Sequence, residues 1–216
     1  MGPNSETVSN ILWNLRRGSG IKVKDVGGES ILRIEWLNLY NHPDVLGSLG
    51  ELFAHWIVRL GYKPDAVVSI ETSGAKYGVS TSLSLGVPYV SLYKGDKLIF
   101  DDPVSVESRS VTESRPLKLF GDKSIISRFR KVVIVDDIRR TSHTIDSAVE
   151  VIEKCGSSVE ACFVVLDFKF AGHPYPRRIR GGAFHSLFEV SSISRTGECE
   201  VKDGLAVRYL EQVQAG

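Results

Sequence analysis

Two adjacent carboxylates, Asp136 and Asp137, follow directly on the apolar run Val132-Val133-Ile134-Val135, and after Ile138 comes the polar stretch Arg139-Arg140-Thr141-Ser142-His143-Thr144. Ionised carboxylates accept hydrogen bonds from sugar hydroxyls. Hydroxyls, cations and the free N–H groups at the start of a following helix hold an anion. In this order the parts suit a ribose 5-phosphate. No Gly-Lys-Ser/Thr ends a glycine run here and no G-x-G-x-x-G is present, which excludes both the P-loop and the dinucleotide fingerprint at this position. A second reading of the same residues stays open: an acidic pair capping a helix in another doubly wound protein, such as one with a receiver-type acidic pocket.

Positioning such a site requires a strand, a tight loop and a helix. Lys131 to Val135 lacks polar alternation, so the strand is covered on both faces, as in a parallel sheet. Ile145, Ala148, Val149 and Ile152 then line a helix that ends at Gly156. Ligands of open α/β sheets bind at the carboxyl ends of the strands, which is where Asp136 and Asp137 fall. Other segments have the same character. Pro64 to Glu71 is a strand running into Thr72-Ser73-Gly74 and a helix bearing Ala75, Val79, Leu83 and Leu85; Tyr89 to Tyr93 is a strand with Lys94 at its end. Val159 to Leu166 and His185 to Val190 supply further strands. The expected fold is α/β, a doubly wound, mainly parallel sheet with right-handed crossovers.

Ahead of it, Val8, Ile11, Leu12 and Leu15 mark an amphipathic helix over Ser5 to Arg17, with Ser5 as its cap. Ile21 to Lys24 and Ile31 to Trp36 form a hairpin across Gly27-Gly28. Leu49, Leu52, Phe53, Trp56, Ile57 and Leu60 mark a helix that begins near Pro43 and stops at Gly61. Ile99 to Asp122 is polar, alternates at Val104 and Val106, and has the length of a lid.

Taken together, these residues resemble the type I phosphoribosyltransferases, closest in pattern to the adenine or purine type and the orotate type. Lys131 to Thr144 is similar to that family's signature for phosphoribosyl pyrophosphate (PRPP): apolar strand, two acidic residues, spacer, then Thr-Gly-Gly-Thr. Here the last part reads Thr141-Ser142-His143-Thr144, without the glycine pair. Ile70-Glu71-Thr72-Ser73-Gly74 stands where the family has its pyrophosphate loop, and Lys94-Gly95-Asp96-Lys97-Leu98 resembles the adenine-type ending of the next strand. The resemblance spans Ile34 to Val190.

It implies one domain, with an N-terminal hood over the base site (1–36), a core (37–190) and a C-terminal extension (191–216). The implied reaction transfers the 5-phosphoribosyl group of PRPP to a nucleobase, a purine by preference, with release of pyrophosphate. Asp136 and Asp137 would be the catalytic pair at the ribose hydroxyls, with Asp137 nearer the reacting side. Arg140, Thr141, Ser142, His143 and Thr144 would hold the 5′-phosphate. Glu71, Thr72, Ser73, Gly74, Lys94 and Lys97 would hold pyrophosphate. Arg109, Arg115 and Lys118 are lid cations, and Phe168, Phe170 and Tyr175 are aromatics for stacking on the base. Mg2+ would arrive with PRPP rather than on a metal site of the protein. A homodimer in the cytoplasm is expected. The alternative from another class is a PRPP- or nucleotide-sensing regulator of the same fold, left open by the N-terminal helix over Ser5 to Arg17 and by Ser142 and His143, which place side chains where glycines let backbone approach a ligand.

The composition restricts other possibilities. A chain of 216 residues, 42% hydrophobic and 25% charged, with a formal net charge of +1, has no global pull toward nucleic acid or anionic lipid. No apolar run reaches the length of a membrane span. Cys155, Cys162 and Cys199 are odd in number and widely spaced, unlike a disulfide framework or a zinc site.

Overall fold

The apolar runs that lack alternation are the strands of the central sheet. The computed structural model describes residues 2–26, 29–108 and 117–215. The sheet contains β3 (Ala66–Ile70), β4 (Tyr89–Leu92), β7 (Lys131–Arg139), β8 (Ser158–Phe168), β9 (Phe184–Ile193) and β10 (Cys199–Asp203). Their spatial order is β10-β9-β8-β7-β3-β4. All neighbours are parallel except β10, which runs antiparallel to β9. After β3 the chain goes one way to β4 and later returns to the other side of β3 as β7. The crevice between β3 and β7 is therefore the topological switch point.

Helices α2 (Pro43–Arg59), α3 (Ala75–Leu85), α5 (His143–Lys154) and α6 (Leu205–Ala215), with the short α4 (Lys123–Ile126), surround the sheet. One hydrophobic cluster runs through the molecule from Val8 to Ala206 and takes in Phe53, Ile134, Phe163 and Phe188. The ribbon β5 (Pro103–Ser108) with β6 (Leu117–Asp122) is antiparallel and forms a separate sheet, packed on α5 and joined to the end of β4 by a bridge between Tyr93 and Phe120. Arg109 and Arg115 lie outside the described residues, as does the Gly27-Gly28 turn. Lys118 is placed with its ammonium 4.9 Å from the centre of the Phe120 ring.

At the N-terminus, α1 (Ser5–Arg17) buries Val8, Ile11, Leu12 and Leu15. Its cap is Asn4 rather than Ser5: the Asn4 side chain accepts from the N–H groups of Glu6 and Thr7, which leaves Ser5 inside the first turn. The helix packs against α2, β10 and α6. The hairpin pairs β1 (Ile21–Val26) with β2 (Glu29–Ile34), and Trp36 is not part of it. Glu35–Leu39 instead forms a π-helical turn, closed by the Tyr40 N–H donating to the Glu35 carbonyl at 3.1 Å.

Two further features go beyond the sequence pattern. Helix α3 buries Tyr77, Gly78, Thr81 and Ser82 and leaves Val79 and Leu83 exposed, so its inner face joins one large ring to small and hydroxyl-bearing residues. A Cβ on Gly78 would sit 2.0 Å from Ser69 Oγ, a close approach of helix to strand that bulky residues would prevent. The sheet also continues past β9. Residues Cys199–Asp203 add an antiparallel edge, and α6 then closes over the sheet next to β9 and β10.

Candidate active site

A cleft of about 530 Å³ opens at the switch point, between the turn after β3, the turn after β4 and the junction of β7 with α5. Its wall brings together Glu71, Thr72, Ser73, Gly74, Lys94, Lys97, Asp136, Asp137, Arg140, Thr141 and Thr144. These residues, far apart in sequence, are gathered by the topology, since they lie at or just beyond the carboxyl ends of the parallel strands β3, β4 and β7.

The two carboxylates have different surroundings. Strand β7 runs on past Val135 to Arg139, so Asp136 lies within the ladder, in register with Val164. It is 7% exposed, and its Oδ1 accepts from the Asp137 N–H at 2.9 Å. Burial, and secondly the Asp137 charge, push its pKa well above the ordinary 3.8, with Lys94 among the groups that oppose the shift. A Cβ on Gly74 would fall 2.2 Å from Asp136 Oδ1, so the turn at residue 74 must be glycine for the carboxyl to fit beneath it. Asp137 is half-buried, and its Oδ2 accepts from Asn38 Nδ2 at 2.7 Å.

Asn38 is a contact that the residue pattern did not reveal. It sits on the π-helical turn, and that turn is fastened to α3. Tyr77 is fully buried and donates its hydroxyl to the Leu37 carbonyl at 3.0 Å. Asn41 Nδ2 donates to the Trp36 carbonyl at 2.6 Å and to the Tyr77 hydroxyl at 3.0 Å. Burial raises the Tyr77 pKa, which keeps this hydroxyl a neutral donor. Next to it, desolvation lowers the pKa of Lys76 while the Asp137 charge acts in the opposite sense, so a cation also lies near this half-buried carboxylate.

The other walls carry donors. Lys94 and Lys97 are exposed at the end of β4, with the Lys97 ammonium 4.9 Å from the centre of the Tyr93 ring. Glu71 faces partly elsewhere: its Oε1 accepts from Ser91 Oγ at 2.7 Å. Thr141 and Thr144 flank the start of α5. The N–H groups of His143, Thr144 and Ile145 belong to its first turn, which has no intrahelical acceptors. Arg140 makes no ion pair among the described residues.

Ser142 and His143 are not in the cleft wall. Because α5 begins at His143, a residue pair read as loop becomes the cap and first residue of a helix, and both side chains leave the site. Ser142 is 7% exposed and donates from Oγ to the Pro174 carbonyl at 2.6 Å. His143 is exposed, and its carbonyl accepts from Ser147 Oγ at 2.8 Å. Ser142 has φ −94°, and no residue other than glycine takes a positive φ among those described, so this loop does not need glycine for left-handed backbone. Of the aromatics, Phe168 is buried, whereas Phe170 and Tyr175 are exposed.

The family model for the phosphoribosyl transferase domain matches residues 35–180. A xanthine phosphoribosyltransferase of Deinococcus deserti is 31% identical over 144 residues, which cover 65% of this chain and 72% of that protein. An adenine phosphoribosyltransferase of Carboxydothermus hydrogenoformans is 31% identical over 129 residues, 60% of this chain and 73% of that one. The solved adenine phosphoribosyltransferase from Thermoanaerobacter pseudethanolicus aligns over 84% of this chain and 99% of its own, with a TM-score of 0.67 at 21% identity.

Proposed function

This chain belongs to the phosphoribosyl transferase domain family, and on that premise we propose that it transfers the 5-phosphoribosyl group of PRPP to a purine base and releases pyrophosphate. The observation that carries the reading is the single cleft in which the acidic pair, the hydroxyl-rich turns and the lysines converge. In the reaction a ring nitrogen of the base forms a bond to C1 of the ribose as the bond from C1 to the pyrophosphate oxygen breaks. Positive charge grows on the sugar ring and negative charge on the leaving group. Asp137, held by Asn38, faces the first; Lys94, Lys97, Thr72 and Ser73 face the second. Thr141, Thr144 and the first-turn amides of α5 hold the 5′-phosphate, with Arg140 in the same cleft wall.

PRPP is taken as its magnesium complex, so the ion enters as part of the substrate and offsets the charge of the pyrophosphate. Among the described residues no helix is long and apolar enough to cross a membrane. Free, buried Cys155, Cys162 and Cys199 suit a reducing compartment, and we place the protein in the cytoplasm as a homodimer. A sensing regulator drew support from Ser142 and His143 as well as from the N-terminal helix. With both side chains outside the cleft wall, the argument from the loop loses its basis.

Calorimetry with magnesium and PRPP, followed by nucleotide formation on a panel including adenine and xanthine, tests the reading. Binding and turnover with at least one purine are expected, and Asp137→Asn should lower kcat by about 100-fold. Absence of PRPP binding by the wild-type protein would overturn the proposal.

A further inference from the structure

Arg139 is the last residue of β7, 2% exposed, and in register with Asp167 at the end of β8. Its Nε donates to Asp167 Oδ1 at 2.5 Å. Its Nη1 reaches the carbonyl of His173 at 3.2 Å and that of Pro174 at 3.5 Å. The guanidinium carbon lies 4.7 Å from the centre of the Tyr175 ring and 5.7 Å from that of Phe184, and the Tyr175 hydroxyl donates to Asp167 Oδ2 at 3.4 Å. A buried cation is costly unless paired and hydrogen-bonded, and here the charge is paired with Asp167, Nε and Nη1 both donate, and two ring faces lie against the guanidinium. Three positions later Ser142 Oγ fastens to the same Pro174 carbonyl.

Arg139 and Ser142 bracket Arg140 and Thr141, which are the cleft-lining residues of this turn. Both ends of the turn are thus pinned to the segment that follows β8. We propose that Arg139, Ser142 and Asp167 form a latch that joins residues 169–176 to the phosphate turn and holds the Thr141 side chain and the α5 amides in place for the 5′-phosphate of PRPP; this rests on the function proposed above. The latch gives the serine in the glycine pair's position a purpose. Its hydroxyl is used on the protein, and the phosphate is left to its neighbours. The sign of one substitution follows: Ser142→Gly, which restores the family's glycine, weakens PRPP binding.

The test compares wild type with Ser142→Gly, Ser142→Ala, Arg139→Lys and the Ser142→Ala/Arg139→Lys pair. The affinity for magnesium–PRPP, the KM and kcat, and the hydrogen exchange of residues 140–146 and 169–176 are measured. Each serine variant should weaken PRPP about fivefold, visible in the KM for PRPP with kcat much less affected. Both segments should exchange faster, and the double variant should lose less than the product of the single losses, because both side chains act through Pro174. Tighter PRPP binding by Ser142→Gly would overturn the latch, as would a lower Tm with unchanged PRPP affinity. If wild type fails to bind PRPP, the proposed function falls, and exchange alone then decides the latch: faster exchange in Ser142→Ala supports it, and unchanged exchange removes it.

Discussion

Asp136 and Asp137 are neighbours in sequence with opposite circumstances. The pair was legible as residue types after an apolar strand; the division between them was not, because it depends on β7 continuing past Val135 and on Gly74 lying over the first carboxyl. Asp136 holds its proton to a higher pH in the folded protein than in the unfolded chain, where the ordinary value is 3.8. The folded state therefore binds more protons above that pH, and the stability this carboxyl contributes is fully present below 3.8 and is lost as pH rises through the folded pKa. Asp136→Asn keeps an acceptor for the Asp137 N–H and removes the buried charge. It should raise the Tm at pH 8, with a gain that shrinks toward pH 4, while lowering turnover. An equal Tm difference at every pH would show that Asp136 is not the ionising group.

At the scale of elements, the strand–turn–helix units were readable because unbroken apolar runs and Gly or Pro boundaries are local signals. The orientation of α3 was not. Val79 and Leu83 look like an inward face, but close contact with β3 at Gly78 and Ser69 admits only small residues there, so the apolar ones turn outward. The turn at Glu35–Leu39 was hidden too. Ile34 and Trp36 continue the alternation of β2, and nothing local in Asn38 points to a carboxylate 99 positions away. Packing of the turn on Tyr77 makes that contact. Tyr77→Phe removes the donor to Leu37 while keeping the ring, and should cost about 1 kcal/mol of stability. It should also lower kcat, because Asn38 then holds Asp137 less firmly. A loss of stability with kcat intact would confine Tyr77 to a packing role.

The whole molecule presents the outward face of α3 beside the end of α2. Leu83 is 78% exposed and Val58 67%, with Leu60 and Val79 also exposed. A groove between the two helices is lined by Val58, Ser84 and Leu85 together with the charged Glu51 and Arg59. Single exposed apolar residues are ordinary, but a group shared by two adjacent helices marks an interaction surface. A second copy of the chain is the partner proposed here, and a surface that pairs with itself needs only one patch. Leu83→Glu places a charge on the outward face of α3 without touching Asp136, Asp137 or the α5 turn. Sedimentation of the wild type should give a dimer, and Leu83→Glu should shift it toward monomer at micromolar concentration. Its far-UV circular dichroism should not change, because the side chain is solvated in the single chain. A dimer that survives Leu83→Glu unchanged would move the interface to another face, leaving the apolar outer side of α3 without a role in assembly.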